Sequence, residues 1–441
     1  MSLKKIVVLG AGRSSRHVIS HLSKVASLEG FQIVVADADI SGISKLIPQN
    51  ENLKYVEGNA GDSDFRLNLM QGSQLVISML PAFMHIEVVQ DCLVLEIDII
   101  TPSYVSPALQ ELHAEAVSKN VLVLNEMGVD PGIDHMSAMD IIHRLKTEGA
   151  HIKSFESYTG GLVAPRSDTN KWGYKISWNP RNVVMAGSGG LAQYRQNGKV
   201  RYIPYSRIFE DISEVKDDKG VPYDAYANRN SLQYLSLYEL EDIDTLIRGT
   251  LRKKGFCDAW NVLVNAGFTN DDTLIPQGQV KTWSDLAEAV LGNKLLSNWK
   301  KGIGLSPEQF ERLTELGIWS DLPLSSKDAT IAVHLQELLE KQWVLLPGDA
   351  DMIVMVHRFN YEKAGKSYQL ISSLVLEGDN DVYTAMSKTV GMPIAFGAIR
   401  LLKGEFKSKG IHIPTTPEFY IPLLDDLKSV GIDFHESISE L

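Results

Sequence analysis

The stretch from Lys4 to Asp37 constrains the fold most. KKIVVLG is a short apolar run rich in β-branched residues; it ends in Gly10-Ala11-Gly12-Arg13-Ser14-Ser15 and passes into a helical pattern. A second apolar run, Phe31 to Ala36, closes on Asp37. Strand, glycine turn, helix and strand make a βαβ unit, and the acidic residue falls roughly 20 residues past the turn, where a dinucleotide fingerprint requires it. Gly10 permits the tight turn, and Gly12 lets the backbone approach a pyrophosphate. The helix beyond offers free N–H groups and the positive end of its dipole to phosphate. Ser15 replaces the third glycine of the fingerprint, so the context has to carry the reading. That context is regular: LKYVEGN, a helix near Asp62 to Met70, LVISML, a helix near Phe83 to Leu95, DIITPS, a helix near Pro107 to Ser118, then VLVLNE. The pattern predicts a Rossmann-type, doubly wound parallel α/β sheet over residues 1–128.

In such sheets ligands collect at the carboxyl ends of the strands. Two more loops qualify, one with Ser78 and Leu80 after the fourth strand, the other with Thr101, Pro102, Ser103 and Tyr104 after the fifth. Ser78, Leu80, Thr101, Pro102 and Ser103 join Gly10, Ala11, Gly12, Arg13, Ser14, Ser15 and Asp37 in the expected nicotinamide-cofactor set, while Tyr104 faces substrate. A carboxylate at Asp37 accepts the ribose hydroxyls and repels a 2′-phosphate, so NAD is favoured; Arg13 leaves NADP possible.

A third region stands out, from Asn125 to Arg181, where NEMGVDPGIDH, SYTGGLVAP and NKWGYKISWNPR concentrate polar residues, glycine and proline beyond what core packing explains. The first piece lies between the apolar run Val121 to Leu124 and a helical pattern from Ile133 to Leu145. Gly128, Val129 and Asp130 therefore face the cofactor crevice, with Asp130 placed to cap the helix. Beyond Val129 the pattern shifts to longer strands, IKSFESYTGG, YKISW, KVRYIP and a hairpin turning at Lys363 to Lys366. This predicts an α+β substrate domain over 129–236 and 344–380. Helical spacing between them, starting with Glu239 to Lys254, predicts an all-helical insertion over 237–343.

At 441 residues with 44% hydrophobic content the chain is large enough for more than one core. No apolar run reaches the roughly 18 residues of a membrane span, and Met1 to Lys5 lacks a signal-peptide core, so a cytoplasmic protein is expected. Cys92 and Cys257 stand alone, which supports neither a disulfide framework nor a metal site. A formal charge of −12, from 43 basic and 55 acidic residues, argues against nucleic acid or an anionic membrane as partner. An anionic small molecule then needs locally concentrated arginine.

NEMGVDPGIDH, SYTGGLVAP, GYKISWNPR, YANRNS, IRGTLRKKGF, ADMIVMVHRF and TAMSKTVGMPIAFGA, in this order along nearly the whole chain, resemble the saccharopine dehydrogenase family. The resemblance implies hydride transfer between a nicotinamide cofactor and saccharopine, a tricarboxylate secondary amine, with glutamate and α-aminoadipic semialdehyde as products. It places Ser103, Tyr104, Asp130, Thr159, Arg229, Arg248, Gly249 and Thr250 against substrate and Ser177 near the cofactor. It also implies that residues 381–441 complete the nucleotide domain and that the protein is a homodimer. Arginine suits carboxylates through its planar fork of donors. Asp130 is the expected catalytic group, holding an ammonium or receiving a proton from the reacting amine; Lys171 and Lys175 are alternative proton carriers, while His135 is expected to be packed. Thr159 stands where the family commonly has cysteine, which excludes thiol chemistry there but not hydride transfer. Related architectures act on carboxynorspermidine-like amines, and a non-catalytic dinucleotide sensor is the remaining alternative; the arginines favour the tricarboxylate.

Overall fold

Ile6, Val7, Val8 and Leu9 are all fully buried, as happens when a parallel strand is covered on both faces. They belong to β1 (Lys4–Leu9), an interior strand of a parallel sheet with β2 (Phe31–Asp37), β3 (Leu53–Glu57), β4 (Leu75–Ser78), β5 (Asp98–Ile100) and β6 (Leu122–Leu124). The strand order β6-β5-β4-β1-β2-β3 is that of a doubly wound sheet, and the order reverses between β1 and β4, where such folds bind ligands. The structure, a computed structural model, describes residues 3–188, 190–276, 278, 280–326 and 328–441, so the first two residues of the N-terminal stretch lie outside it. Helix Arg16–Glu29 buries Val18, Ile19, Leu22 and Ala26. Helix Ala385–Leu402 comes close to it, since a Cβ on Gly391 would lie 2.8 Å from the Val18 nitrogen.

The chain divides into two units, Met1–Glu148 with Val382–Phe434, and Gly149–Asp381 with His435–Leu441. The division falls after helix Ile133–Thr147 rather than at the expected 128/129. That helix packs against Pro417–Ser429 in the first unit, which holds it there.

The second unit is built on a mixed sheet. Its strands are β7 (His151–Val163), β8 (Ala192–Gln196), β9 (Lys199–Ile203), β10 (Ser213–Lys216), β11 (Pro222–Ala227), β12 (Thr245–Lys253), β15 (Asp351–Lys363) and β16 (Lys366–Glu377); β13 (Leu274–Ile275) and β14 (Ala329–Thr330) pair separately. The chain then adds β17 (Gly410–His412) beside β6 in the first unit and β18 (His435–Glu440) beside β16 in the second. The order is β10-β11-β12-β7-β15-β16-β18, with β7 and β12 parallel and the hairpin at Lys363 to Lys366 as expected. Helices Phe256–Asn265, Trp283–Trp299, Pro307–Leu316 and Ile331–Gln342 share a core with Trp172, Trp260 and Trp343.

Three expectations need correction. The helix expected over 239–254 is β12: the apolar positions Leu240, Ile243, Ile247 and Leu251 fit helical spacing, but Thr245, Ile247, Gly249 and Thr250 disfavour a helix, and pairing with both β11 and β7 decides the matter. YKISW forms no strand beyond one bridge between Ile176 and Val344; Trp172 and Tyr174 serve the aromatic core instead. Only part of 381–441 joins the nucleotide unit, because His435–Glu440 pairs with β16.

Candidate functional site

In the first unit the glycine turn is held from beneath. Gly10 has φ +99°, its N–H donates to the Ala36 carbonyl at 2.8 Å, and a Cβ there would meet the Met79 carbonyl carbon and oxygen at 2.9 Å. Only glycine fits. Nothing lies within 4 Å of a Cβ built on Gly12, so the turn presents open backbone, as a phosphate cradle requires. Ser15 is buried and its hydroxyl donates to the Gly12 carbonyl at 2.7 Å, tying the turn to the helix start. Asp37 is engaged with protein on both oxygens: Ala11 N–H donates to Oδ2 at 2.6 Å and Asp39 N–H to Oδ1 at 3.0 Å. Arg13 is exposed on the turn.

The loops after β4 and β5 are joined by a residue that sequence reading missed. His85, buried at the start of helix His85–Leu95, lies 2.9 Å from Ser78 Oγ through Nδ1 and 2.7 Å from Ser103 Oγ through Nε2, with Thr101 Oγ1 at 3.3 Å. Burial pushes its pKa down to about 4, so the ring is neutral at ordinary pH. One nitrogen then donates and the other accepts. The available signal was a histidine seven residues past a strand end, within reach of a turn of serine and threonine.

A third loop meets these. Glu126 N–H donates to the Ser103 carbonyl at 3.1 Å and Met127 N–H to the Thr101 carbonyl at 3.1 Å. The Glu126 carboxylate accepts from Val105 N–H at 3.0 Å and lies 2.7 Å from His135 Nε2. His135 is therefore packed, as expected, but its partner was not foreseen. Tyr104 donates its hydroxyl to Asp130 Oδ1 at 3.2 Å, joining two of the expected site residues. Asp130 does not cap the following helix; the N-cap is Gly132, whose N–H donates to Asp134 Oδ1 at 2.6 Å. Gly128 and Val129 are buried below, Gly128 receiving the Gly132 turn against its backbone, while Leu80 and Pro102 are half-buried.

In the second unit the residues gather on β12 and its neighbours. Arg248 lies on a strand and not on a helix; its backbone N–H donates to Ser231 Oγ at 2.9 Å and its guanidinium stacks 4.0 Å above the Tyr234 ring. Arg229, at φ +48°, is exposed on the loop that follows β11, where Asn228 N–H donates to the Arg248 carbonyl. Thr250 pairs in register with Thr159 across β7, and Thr159 Oγ1 is sealed from solvent with no hydrogen-bond partner. Gly249 has a packing reason: a Cβ would meet the Tyr226 carbonyl oxygen at 2.5 Å and the Tyr158 ring at 2.6 Å. Ser177 is buried beside the aromatic core, Lys175 is paired with Asp349 at 2.6 Å, and Lys171 is exposed beside Glu311.

Both parts of the chain match known families. Residues 6–124 match the saccharopine dehydrogenase NADP binding domain and residues 128–432 the saccharopine dehydrogenase C-terminal domain. The chain belongs to the saccharopine dehydrogenase family. Within it, the chain is 31% identical to the Saccharomyces cerevisiae saccharopine dehydrogenase [NADP(+), L-glutamate-forming], over 96% of this chain and 97% of that one. It is 33% identical to the mitochondrial alpha-aminoadipic semialdehyde synthase of Rattus norvegicus, over 98% of this chain. Against that synthase and its like the chain spans about half the relative's length, 47%. The apo structure of the S. cerevisiae saccharopine dehydrogenase superposes with a TM-score of 0.89 at 29% identity, covering 99% of this chain and 100% of that one. A Legionella pneumophila homospermidine synthase shares the fold at a TM-score of 0.55 and 9% identity. No helix among the described residues is long and apolar enough to cross a membrane.

Proposed function

We propose that this protein is a nicotinamide-dependent dehydrogenase acting on a CH–NH bond, interconverting saccharopine with glutamate and α-aminoadipic 6-semialdehyde. The observation that carries the reading is the joining of Tyr104 to Asp130 at the strand ends of a sheet whose glycine turn fits a dinucleotide. A bound nicotinamide supplies the hydride acceptor for the carbon beside the amine. Asp130 receives the proton of the reacting amine, with the Tyr104 hydroxyl donating to its carboxylate and holding it in place. Water adds to the resulting iminium carbon; the carbinolamine collapses as the C–N bond breaks, leaving the amine on glutamate and the aldehyde on the other product. Arg229, Arg248 and Thr250 bind carboxylate oxygens.

For the cofactor we favour NADP, reversing the preference drawn from Asp37. The carboxylate that was to take the ribose hydroxyls has both oxygens bonded to backbone N–H groups, and Arg13 is exposed on the turn. The L-glutamate-forming relatives carry NADP in their names. We also expect a homodimer, on the ground that the edge strand β18 is exposed along its whole length, and a cytoplasmic location; light scattering and cell fractionation test these.

Reduced-nicotinamide formation with saccharopine, run with NAD and NADP in parallel and with Arg229→Ala as control, tests the function. Turnover that prefers NADP and falls roughly 100-fold in the variant is expected, the loss of a charge-assisted pair. Absence of turnover with either cofactor refutes the substrate assignment.

A further inference from the structure

Arg252 lies on the same strand as Arg248 and Thr250, and alternate residues of a strand share a face. Its surroundings are unusual for a charge. The residue is only 4% exposed, and its guanidinium carbon lies 5.4 Å from the ring centroids of Tyr174 and Phe256 and 5.8 Å from that of Tyr226. Among the described residues its one hydrogen bond is from Nη1 to the neighbouring Leu251 carbonyl at 3.0 Å, and no carboxylate comes within ion-pair distance. Asp224, its register partner on β11, is spent elsewhere, accepting from Gly255 N–H at 2.8 Å with Lys254 nearby. Nε is sealed from solvent without a partner.

An arginine stays charged, and a buried charge is costly unless it is paired. Three rings offset part of that cost through their faces. Rings leave the in-plane Nε–Nη2 edge unsatisfied, however, and that edge is the fork that grips a carboxylate with two parallel hydrogen bonds. A second unsatisfied group lies on the same face: Thr250 is in register with Thr159, whose hydroxyl is also sealed without a partner. With the Tyr226 hydroxyl, which is also sealed without a partner beside Thr250 in the register of β11, three orphaned polar groups around Thr250 on one sheet face mark a place that is complete only with a ligand.

We propose that Arg252 is a carboxylate anchor, taking a terminal carboxylate of the substrate at the end opposite to the one held by Arg248. Four residues of strand separate the two arginines by about 13 Å. That spacing suits a ligand with carboxylates at both ends and excludes one carboxylate shared between them. It also gives the tricarboxylate a further cation beyond Arg229 and Arg248. The proposal rests on the saccharopine reading for its full form.

The test compares the parent with Arg252→Gln and Arg252→Lys in the full chain. Arg252→Gln is expected to raise the KM for saccharopine about 30-fold while kcat, the KM for NADP and the melting temperature stay near parental values, the pattern of lost ground-state binding. Arg252→Lys, which keeps the charge but loses the fork, is expected to raise KM about tenfold. An unchanged saccharopine KM in a folded variant overturns the proposal. So does failure of both variants to fold, which assigns Arg252 to the aromatic core alone. Should the parent show no turnover of saccharopine, the functional reading fails first and the anchor is judged by glutarate. Protection of the parent against heat by glutarate, lost in Arg252→Gln or Arg252→Lys, upholds it; equal protection, or none in the parent, overturns it.

Discussion

The cofactor-side loops of the first unit and the β12 face of the second handle polar groups in opposite ways. In the first, nearly every candidate group has a protein partner: Ser78, Thr101 and Ser103 with His85, Asp37 with the glycine turn, Tyr104 with Asp130, Glu126 with Val105 and His135. In the second, Arg252 lies among three rings with its Nε sealed and unpartnered, and the hydroxyls of Thr159 and Tyr226 are sealed without partners. A network satisfied within the protein is organised before ligand arrives; an unsatisfied face is finished by the ligand. The first arrangement suits a cofactor common to many substrates, the second a site that must select one anion.

The contrast is broken most directly at Gly132. It has φ +148°, and a Cβ there would fall 2.1 Å from the Gly128 carbonyl oxygen. Gly132→Ala is expected to cost about 4 kcal/mol or more and to yield little folded protein, since the obstacle is the Gly128 backbone, which cannot give way as a side chain could. Gly249→Ala in the second unit meets the Tyr226 carbonyl and the Tyr158 ring with ordinary dihedrals, so its loss should be smaller. Thermal melts of the pair decide this, and equal losses would show the first region to be no more closely organised by its own backbone than the second.

His85 tests the same network through pH. Its folded pKa of about 4 lies below the ordinary 6.5, so the unfolded chain binds the extra proton between those values. The contribution is therefore fully present above pH 6.5 and is lost as pH falls toward 4, amounting to about 3 kcal/mol. His85→Gln keeps one donor and one acceptor but has no titrating ring. Urea unfolding of parent and variant across that window should show the parent losing about 3 kcal/mol more; parallel curves would mean that the buried ring is not held neutral.

How legible each region was follows from how its information is laid out along the chain. The sheet and the glycine turn were readable because a βαβ unit keeps strand, turn, helix and acidic residue within about 40 consecutive residues. Asp130 lies at the strand-to-helix junction read from the sequence, but the cap inferred for it is wrong, because the N-cap is Gly132, tied to Asp134. His85 was missed since its partners come from two other strand ends, a relation only the folded sheet creates. β12 was misread because its apolar spacing fits 3.6 residues as well as it fits a strand. That error hid Arg252, whose kinship with Arg248 and Thr250 exists only at a period of two. The aromatic core of the second unit was likewise mistaken for loop chemistry at Trp172 and Tyr174, where glycine and asparagine neighbours outweighed the rings.

The smallest effect discriminates most finely. Thr159→Val exchanges a hydroxyl for a methyl of nearly the same shape, at a site where Oγ1 is sealed and has no partner. A hydroxyl desolvated for nothing is a penalty in the free protein, so the variant should be more stable by about 1 kcal/mol. If the β12 face is completed by substrate, the same change should raise the saccharopine KM roughly three- to tenfold, because the ligand's oxygen then meets a methyl group. Stability gained with affinity lost is the signature of a group kept for a ligand at the expense of the fold. Stability gained with KM unchanged would show Thr159 to be an ordinary packing residue. Its opposition to Thr250 would then say nothing about the anion beside it.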